Sequence, residues 1–325
     1  MPFRLRITVA ILASAVLLAF FAPLLLPLPA LEDTVAAEEL ADADSRFIRL
    51  PDFTLHYHEA GSLETAERHF VLLHGFGLNL FSWRAVLPAL GEQTYALAYD
   101  RPAFGLTSRP AVERGSRNPY SLEAEVALLL ALLDAKGIEQ AILVGNSAGG
   151  NVALEFALQH PERSRGLVLV APAAEAPTGA PAWLRPLLST PQFNRVGPVI
   201  MRQFAEDAGL QLIRAAWYDP EKLSAETLEA YRRNSQVDAW DEALWQLSKA
   251  NRNGNFAQRL PDLRLPTLII TGAEDSIVPA EQSQNLSQAI AGAQFVSLEA
   301  CGHVPQEECP DAWLEAVEDW LEQHF

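Results

Sequence analysis

Short apolar runs punctuate the chain at His69–Leu73, Tyr95–Tyr99, Ala141–Val144, Leu167–Val170, Leu268–Thr271 and Phe295–Leu298, and helical spacing fills most gaps between them. Strands joined by helical crossovers lie parallel and are buried on both faces. The alternation therefore predicts an α/β domain, with a mostly parallel central sheet and helices on both sides. Two further runs, Arg46–Leu50 and Phe53–His58, read as a leading strand pair joined by Pro51-Asp52. Phe81–Leu90 has helical spacing; Ser121 caps a helix reaching Lys136, with Gly137 as its stop. Further helices are expected over Ala148–Gln159, over Ala280–Ile290, and from Pro310 to the C-terminus.

One stretch breaks the rhythm. Ala173–Leu260 carries no strand signal, only helical patches rich in Trp, Leu and Arg, broken by Pro177, Pro181, Pro186, Pro191, Pro198 and Pro220. It reads as a helical lid inserted between two strands, over their C-terminal ends. The expected organisation is an N-terminal segment (1–31), an acidic, Ala-rich linker or short helix (32–45), a first core part (46–172), the lid (173–260) and a second core part (261–325). A chain of 325 residues suits one α/β domain with an insertion, and 49% apolar residues can fill its core.

Gly145-Asn146-Ser147-Ala148-Gly149 lies between the run Ala141–Val144 and the helix from Ala148. A sharp strand-to-helix turn strains its central residue and lifts that side chain above the sheet; residues two places away must then be small. The helix N-terminus favours negative charge there. A serine so placed still needs a base, and the base an orienting acid. His303, in Cys301-Gly302-His303-Val304-Pro305, follows the strand Phe295–Leu298 and is the best base. The other histidines fall on early strands (His56, His58, His69), at a helix end (His160), in the tail (His324), or on the oxyanion side (His74). Asp275, after Leu268–Thr271, is the favoured acid; Glu274 beside it and Glu175 after Leu167–Val170 are the rivals. His74-Gly75-Phe76-Gly77 follows another strand, so the main-chain N–H groups of Phe76 and Ala148 are the expected oxyanion donors.

At the N-terminus Arg4 and Arg6 precede an uncharged run, Ile7–Leu31, followed by acids. That pattern predicts a transmembrane anchor with an exported catalytic domain; secretion after signal-peptide cleavage near Val35-Ala36-Ala37 is the alternative. A net charge of −17 disfavours nucleic acid and anionic headgroups as partners. The two cysteines, Cys301 and Cys309, show no metal-ligand spacing, and two free thiols are expected more than a disulfide.

His74-Gly75-Phe76-Gly77, Asp100-Arg101-Pro102-Ala103-Phe104-Gly105, the serine elbow, Asp275 and His303-Val304-Pro305 together resemble the α/β-hydrolase fold superfamily, in its lid-bearing branch, from about Arg46 to the C-terminus. The resemblance implies a Ser147–His303–Asp275 triad working through an acyl-enzyme, a turn-shaping rather than catalytic role for Asp100, and no metal or organic cofactor. The motif order is specific for the fold and weakly specific for substrate. Relatives with an aspartate at the elbow, the dehalogenases and epoxide hydrolases, are disfavoured by Ser147. Where many esterases have a histidine before the nucleophile, this chain has Asn146. Hydrolysis of a small-molecule, hydrophobic carboxylic ester is the leading expectation. Carbon–carbon bond hydrolysis of a ring-fission product is the second, and a polar, charged site in the lid would favour it. A membrane-tethered binding protein without turnover is the third, weakened because the whole triad is present. Trp183, Leu184, Leu187, Leu188, Phe193 and Phe204 can line an apolar acyl site, although most are better placed as the lid's own core.

Overall fold

The computed structural model describes residues 3–25, 27–113, 115–175, 179–203 and 209–325. The described residues build an eight-stranded sheet in the order β1-β2-β4-β3-β5-β6-β7-β8. The strands are β1 (Arg46–Arg49), β2 (Thr54–Ala60), β3 (His69–Leu73), β4 (Tyr95–Tyr99), β5 (Ala141–Asn146), β6 (Ser164–Val170), β7 (Thr267–Gly272) and β8 (Gln294–Leu298). β1 and β2 run antiparallel, β2 meets β4 antiparallel, and every pairing from β4 to β8 is parallel.

The helices are α1 (Phe3–Phe21), α2 (Leu87–Gln93), α3 (Leu122–Lys136), α4 (Ala148–Gln159), α5 (Arg185–Leu188), α6 (Pro191–Gln203), α7 (Gly209–Ala215), α8 (Ala225–Arg232), α9 (Trp240–Lys249), α10 (Ala280–Ala289), α11 (Pro305–Glu308) and α12 (Pro310–His324). α3 begins and ends on the residues that capping chemistry requires. Ser121 Oγ accepts from Ala124 N–H at 3.2 Å, and Gly137 takes φ +68°, which closes the last turn. The single helix expected over Phe81–Leu90 is instead a short 3₁₀ turn, Leu80–Trp83, followed by α2, with Pro88 in its first turn.

Strand alternation divides the core between the two faces of the sheet. Val71, Leu73, Leu143, Leu167, Leu169 and Ile269 pack with α3, α4 and α10. Phe70, Leu72, Ile142, Val144, Val168 and Ile270 pack with Trp83, Leu87, Trp313 and Trp320 on the other face. Successive residues of a strand point to opposite faces, so one apolar run feeds both layers. Truncating a fully buried anchor such as Trp313 costs about 3–5 kcal/mol.

Residues 173–260 leave the sheet after β6 and return at β7, carrying α5 to α9. Ile213, Ala216, Trp217 and Tyr231 form a core there with Leu78 and Val304 of the main domain. Of the residues expected to line a site or fill this core, Trp183 and Leu187 are exposed, and Phe204, like Pro177, lies outside the described residues.

Two expectations are overturned. α1 stops at Phe21, where Pro23 begins a break. Its 19 residues span about 28 Å. They include Arg4 and Arg6, which leaves the uncharged part short of the roughly 30 Å hydrocarbon core. Among the described residues no helix is long and apolar enough to cross a membrane, which overturns the expected transmembrane anchor. The segment 29–35 contacts the insertion. Arg202 Nη1 donates to the carbonyls of Pro29 and Ala30 at 2.9 Å, and Val35 pairs with Val237. The cysteines are not free thiols: Cys301 and Cys309 are joined, with Cα atoms 6.3 Å apart. α11 turns the chain back between them, a path their sequence spacing does not reveal.

Candidate active site

The strand order reverses between β3 and β5: the chain steps from β3 outward to β4, then back across to β5 and on to β6. Such a switch point opens a crevice at the carboxyl ends of the strands. The turn after β3 carries His74-Gly75-Phe76-Gly77, and the turn after β5 carries Ser147. The loops after β7 and β8 bring Asp275 and His303 to the same end.

Ser147 has φ +51° and ψ −118°, a conformation that side-chain-bearing residues adopt only when the surroundings enforce it. Here the surroundings do so. Ser147 N–H donates to Val170 O at 2.8 Å. A Cβ on Gly145 would lie 2.6 Å from Gly149 O, and one on Gly149 would lie 2.2 Å from Leu73 O. Glycine is therefore required at both places by close backbone approach, as the elbow pattern implied.

His303 Nδ1 and Asp275 Oδ2 are 2.7 Å apart, and both residues are buried. The other carboxylate oxygen, Asp275 Oδ1, accepts from Ile277 N–H at 2.8 Å and Val278 N–H at 2.9 Å. Two main-chain donors thus fix the carboxylate, and the carboxylate fixes the ring. No hydrogen bond joins Ser147 Oγ to His303 here, but both line one cavity; such contacts commonly tighten only in the substrate complex. The rival acids have other places. Glu274 Oε2 accepts from Cys301 N–H at 3.0 Å and so braces the His303 loop. Glu175 is exposed and borders a different cavity.

The turn after β3 is held by His74. Arg101 N–H donates to His74 Nε2 at 2.9 Å, so the ring proton sits on Nδ1 and donates to Gly75 O at 2.8 Å. Burial first, and the nearby Arg101 guanidinium second, hold His74 down at about 4, which keeps it neutral near pH 7. Phe76 N–H and Ala148 N–H, the latter at the first turn of α4, make no hydrogen bond to another described main-chain carbonyl. Asp100 shapes the next loop: it accepts from Leu80 N–H at 2.8 Å and Leu106 N–H at 2.7 Å, and pairs with His56 at 2.6 Å. It stands apart from the cavity lining, in line with a turn-forming role.

Asn146, unexplained by sequence, spans the site. Its Nδ2 donates to Val170 O at 3.2 Å and His303 O at 3.1 Å, tying the elbow to the main chain of the histidine loop. Its Oδ1 has no partner among the described residues and belongs to a side chain lining the cavity. The cavity encloses about 560 Å³. Ser147 and His303 line it, and Leu210, Ile213, Trp240 and Leu244 of the insertion supply apolar walls. Arg232 reaches the lining and is half exposed, 3.5 Å from Glu229. The lining residues from the insertion were not foreseen, because only docking decides which face of each helix meets the crevice.

Comparison with known proteins accords with this geometry. The chain is 32% identical over 280 residues to the 2-hydroxy-6-oxo-2,4-heptadienoate hydrolase of Pseudomonas putida, covering 81% of this chain and 94% of that one. It is 32% identical over 262 residues to the 2-hydroxymuconate semialdehyde hydrolase of a Pseudomonas species, covering 77% and 86%. A thermophilic esterase from Thermogutta terrifontis superposes with a TM-score of 0.70 at 25% identity, covering 87% and 100%. A profile of the alpha/beta hydrolase family matches residues 70–316, and the chain belongs to that family of hydrolases.

Proposed function

We propose that the protein is a serine hydrolase that cleaves a carbon–carbon bond beside a ketone in a dienoate of the ring-fission type, with Ser147 as nucleophile, His303 as base and Asp275 as orienting acid. His303 takes the proton of Ser147 as its oxygen adds to the ketone carbon. The N–H groups of Phe76 and Ala148 receive the oxyanion. Collapse of the tetrahedral adduct breaks the carbon–carbon bond. The departing carbon, made saturated by prior tautomerisation of the dienol to its 2-oxo form (the enol proton moving to that carbon), leaves as an anion delocalised into the oxo-acid end and takes the proton from His303. Water, activated by His303, then frees the acyl group from Ser147.

The bond assignment rests on the relatives: two that are 32% identical carry such substrates in their names, which gives this reading more support than the ester hydrolysis the sequence suggested. A dienoate also needs a cation for its carboxylate. Arg232 is the candidate, because its contact with Glu229 is long and half exposed on both sides, so a substrate carboxylate competes with it. Ester hydrolysis stands as the second reading, favoured by the predominantly apolar walls of the cavity and by the likeness to the esterase.

The test is a paired assay: loss of the dienol absorbance of a ring-fission product against release of p-nitrophenol from a short ester. Faster turnover of the dienol supports carbon–carbon cleavage; turnover of the ester alone refutes it. Ser147→Ala should abolish either activity without changing the melting temperature. Undiminished turnover by that variant would remove Ser147 from the mechanism.

A further inference from the structure

We infer that Asn234 is a positioning residue that locks the oxyanion turn to the helical insertion, so that the Phe76 donor is held in place only when the insertion is seated. The inference rests on the reading of Phe76 N–H as an oxyanion donor. Asn234 lies in the short 3₁₀ turn Arg233–Ser235 after α8, far from the triad in sequence. Its Nδ2 donates to Gly77 O at 2.9 Å and to Leu78 O at 3.3 Å, the two carbonyls that follow Phe76. Its Oδ1 accepts from Gly105 N–H at 2.7 Å, in the loop after β4. Main-chain carbonyls only accept and main-chain N–H groups only donate, so the orientation of this amide is determined by its partners.

The turn has few other restraints at this point. Gly77 adopts φ +76°, and a Cβ there would meet nothing within 4 Å, so no side-chain packing braces it. The Phe76 ring is 41% exposed and meets Phe104 edge-on at 5.5 Å. His74 secures the turn on one side through Gly75 O, and Asp100 secures it on the other through Leu80 N–H. Between those fixed points lie the carbonyls that Asn234 holds. A bond in the opposite direction completes the latch: Asn79 Nδ2 donates to Ala230 O of α8 at 2.9 Å. Arg109 Nη2 joins the two sides again, donating to Gly105 O at 2.9 Å and to the Asn234 carbonyl at 3.2 Å.

Asn234→Asp is the sharp test, because it keeps the shape and the acceptor for Gly105 N–H but turns the donor facing Gly77 and Leu78 into a repelling oxygen. Asn234→Ala removes both functions. Two readouts of oxyanion-dependent chemistry are taken on the full chain: the rate of phosphonylation of Ser147 by a fluorophosphonate, and the affinity for a trifluoromethyl ketone, which adds to Ser147 as a tetrahedral oxyanion. Removing one oxyanion donor costs roughly 100–1,000-fold, so loosening one should slow phosphonylation by about 10–100-fold. Ketone affinity should fall in parallel, with the aspartate variant still melting in one cooperative transition at a modestly lower temperature. Should the alanine variant fail to fold, the aspartate variant decides. Wild-type phosphonylation and ketone affinity in Asn234→Asp would overturn the inference, as would slower phosphonylation with undiminished ketone affinity. A wild type that is not labelled at Ser147 would overturn the serine-hydrolase reading and this inference together.

Discussion

Asp275→Asn isolates what the carboxylate does, because its neighbours dictate how the replacement must sit. Asp275 Oδ1 accepts from the N–H groups of Ile277 and Val278. An asparagine at this position must turn its oxygen to those donors, since its amino group there would leave both unsatisfied and opposed by a third donor. The amino group then faces His303 Nδ1, at the place where the carboxylate oxygen now stands 2.7 Å away. A donor at that place forces Nδ1 to accept, which puts the ring proton on Nε2. The imidazole can no longer take the proton of Ser147. Loss of the correct tautomer costs about 10⁴ in turnover where such a triad has been altered this way. That factor corresponds to about 5.4 kcal/mol of barrier. Folding should be little affected, because the side chain keeps its volume and both main-chain bonds. The assay is kcat on whichever substrate the paired test selects, alongside a thermal melt and the rate of Ser147 phosphonylation. A variant within about tenfold of wild-type kcat would refute this account of the His303–Asp275 pair.

Two further outcomes follow from the geometry. Arg232→Gln should raise KM for a carboxylate-bearing dienoate by about tenfold, as loss of a partly exposed charge-assisted bond implies, and leave a neutral ester unaffected; equal effects on both substrates would remove Arg232 as the carboxylate site. For Asp100, burial alone would raise the carboxyl, but the charge and hydrogen bond of His56, with Leu80 N–H, outweigh it and hold the group at about 2. A folded value below the unfolded one makes its contribution complete above about pH 4 and lost as the pH falls through about 2. Asp100→Asn should therefore melt below wild type at pH 7, with the gap narrowing from pH 4 to pH 2 in thermal melts; a constant gap contradicts the assignment.

Much of the architecture was legible because its signals are local. Apolar runs of strand length, Ser121 and Gly137 at the ends of α3, and Pro161 after α4 act through backbone sterics and nearby hydrogen bonds. The elbow was legible for the same reason: Gly145 and Gly149 are required by contacts within one tight turn and with the neighbouring β3. The N-terminal segment misled because hydropathy measures whether a run can enter lipid, and says nothing of what binds its far end. The cysteine pair misled because α11 sets the distance between them.

By itself, then, the sequence determined the parallel sheet, the strained turn that carries Ser147, and the identity of Asp275 and His303 as its candidate partners. These follow from periodicity and from chain order along the sheet. Tertiary structure decided the rest: that Asn146 reaches the main chain of His303, that Arg232 meets the cavity while Trp183 does not, and that Asn234 grips the turn after β3. Each of these depends on how the insertion docks over the crevice. Docking is set by the packing of whole helix faces around Leu78, Trp217, Tyr231 and Val304, which no local run of residues encodes.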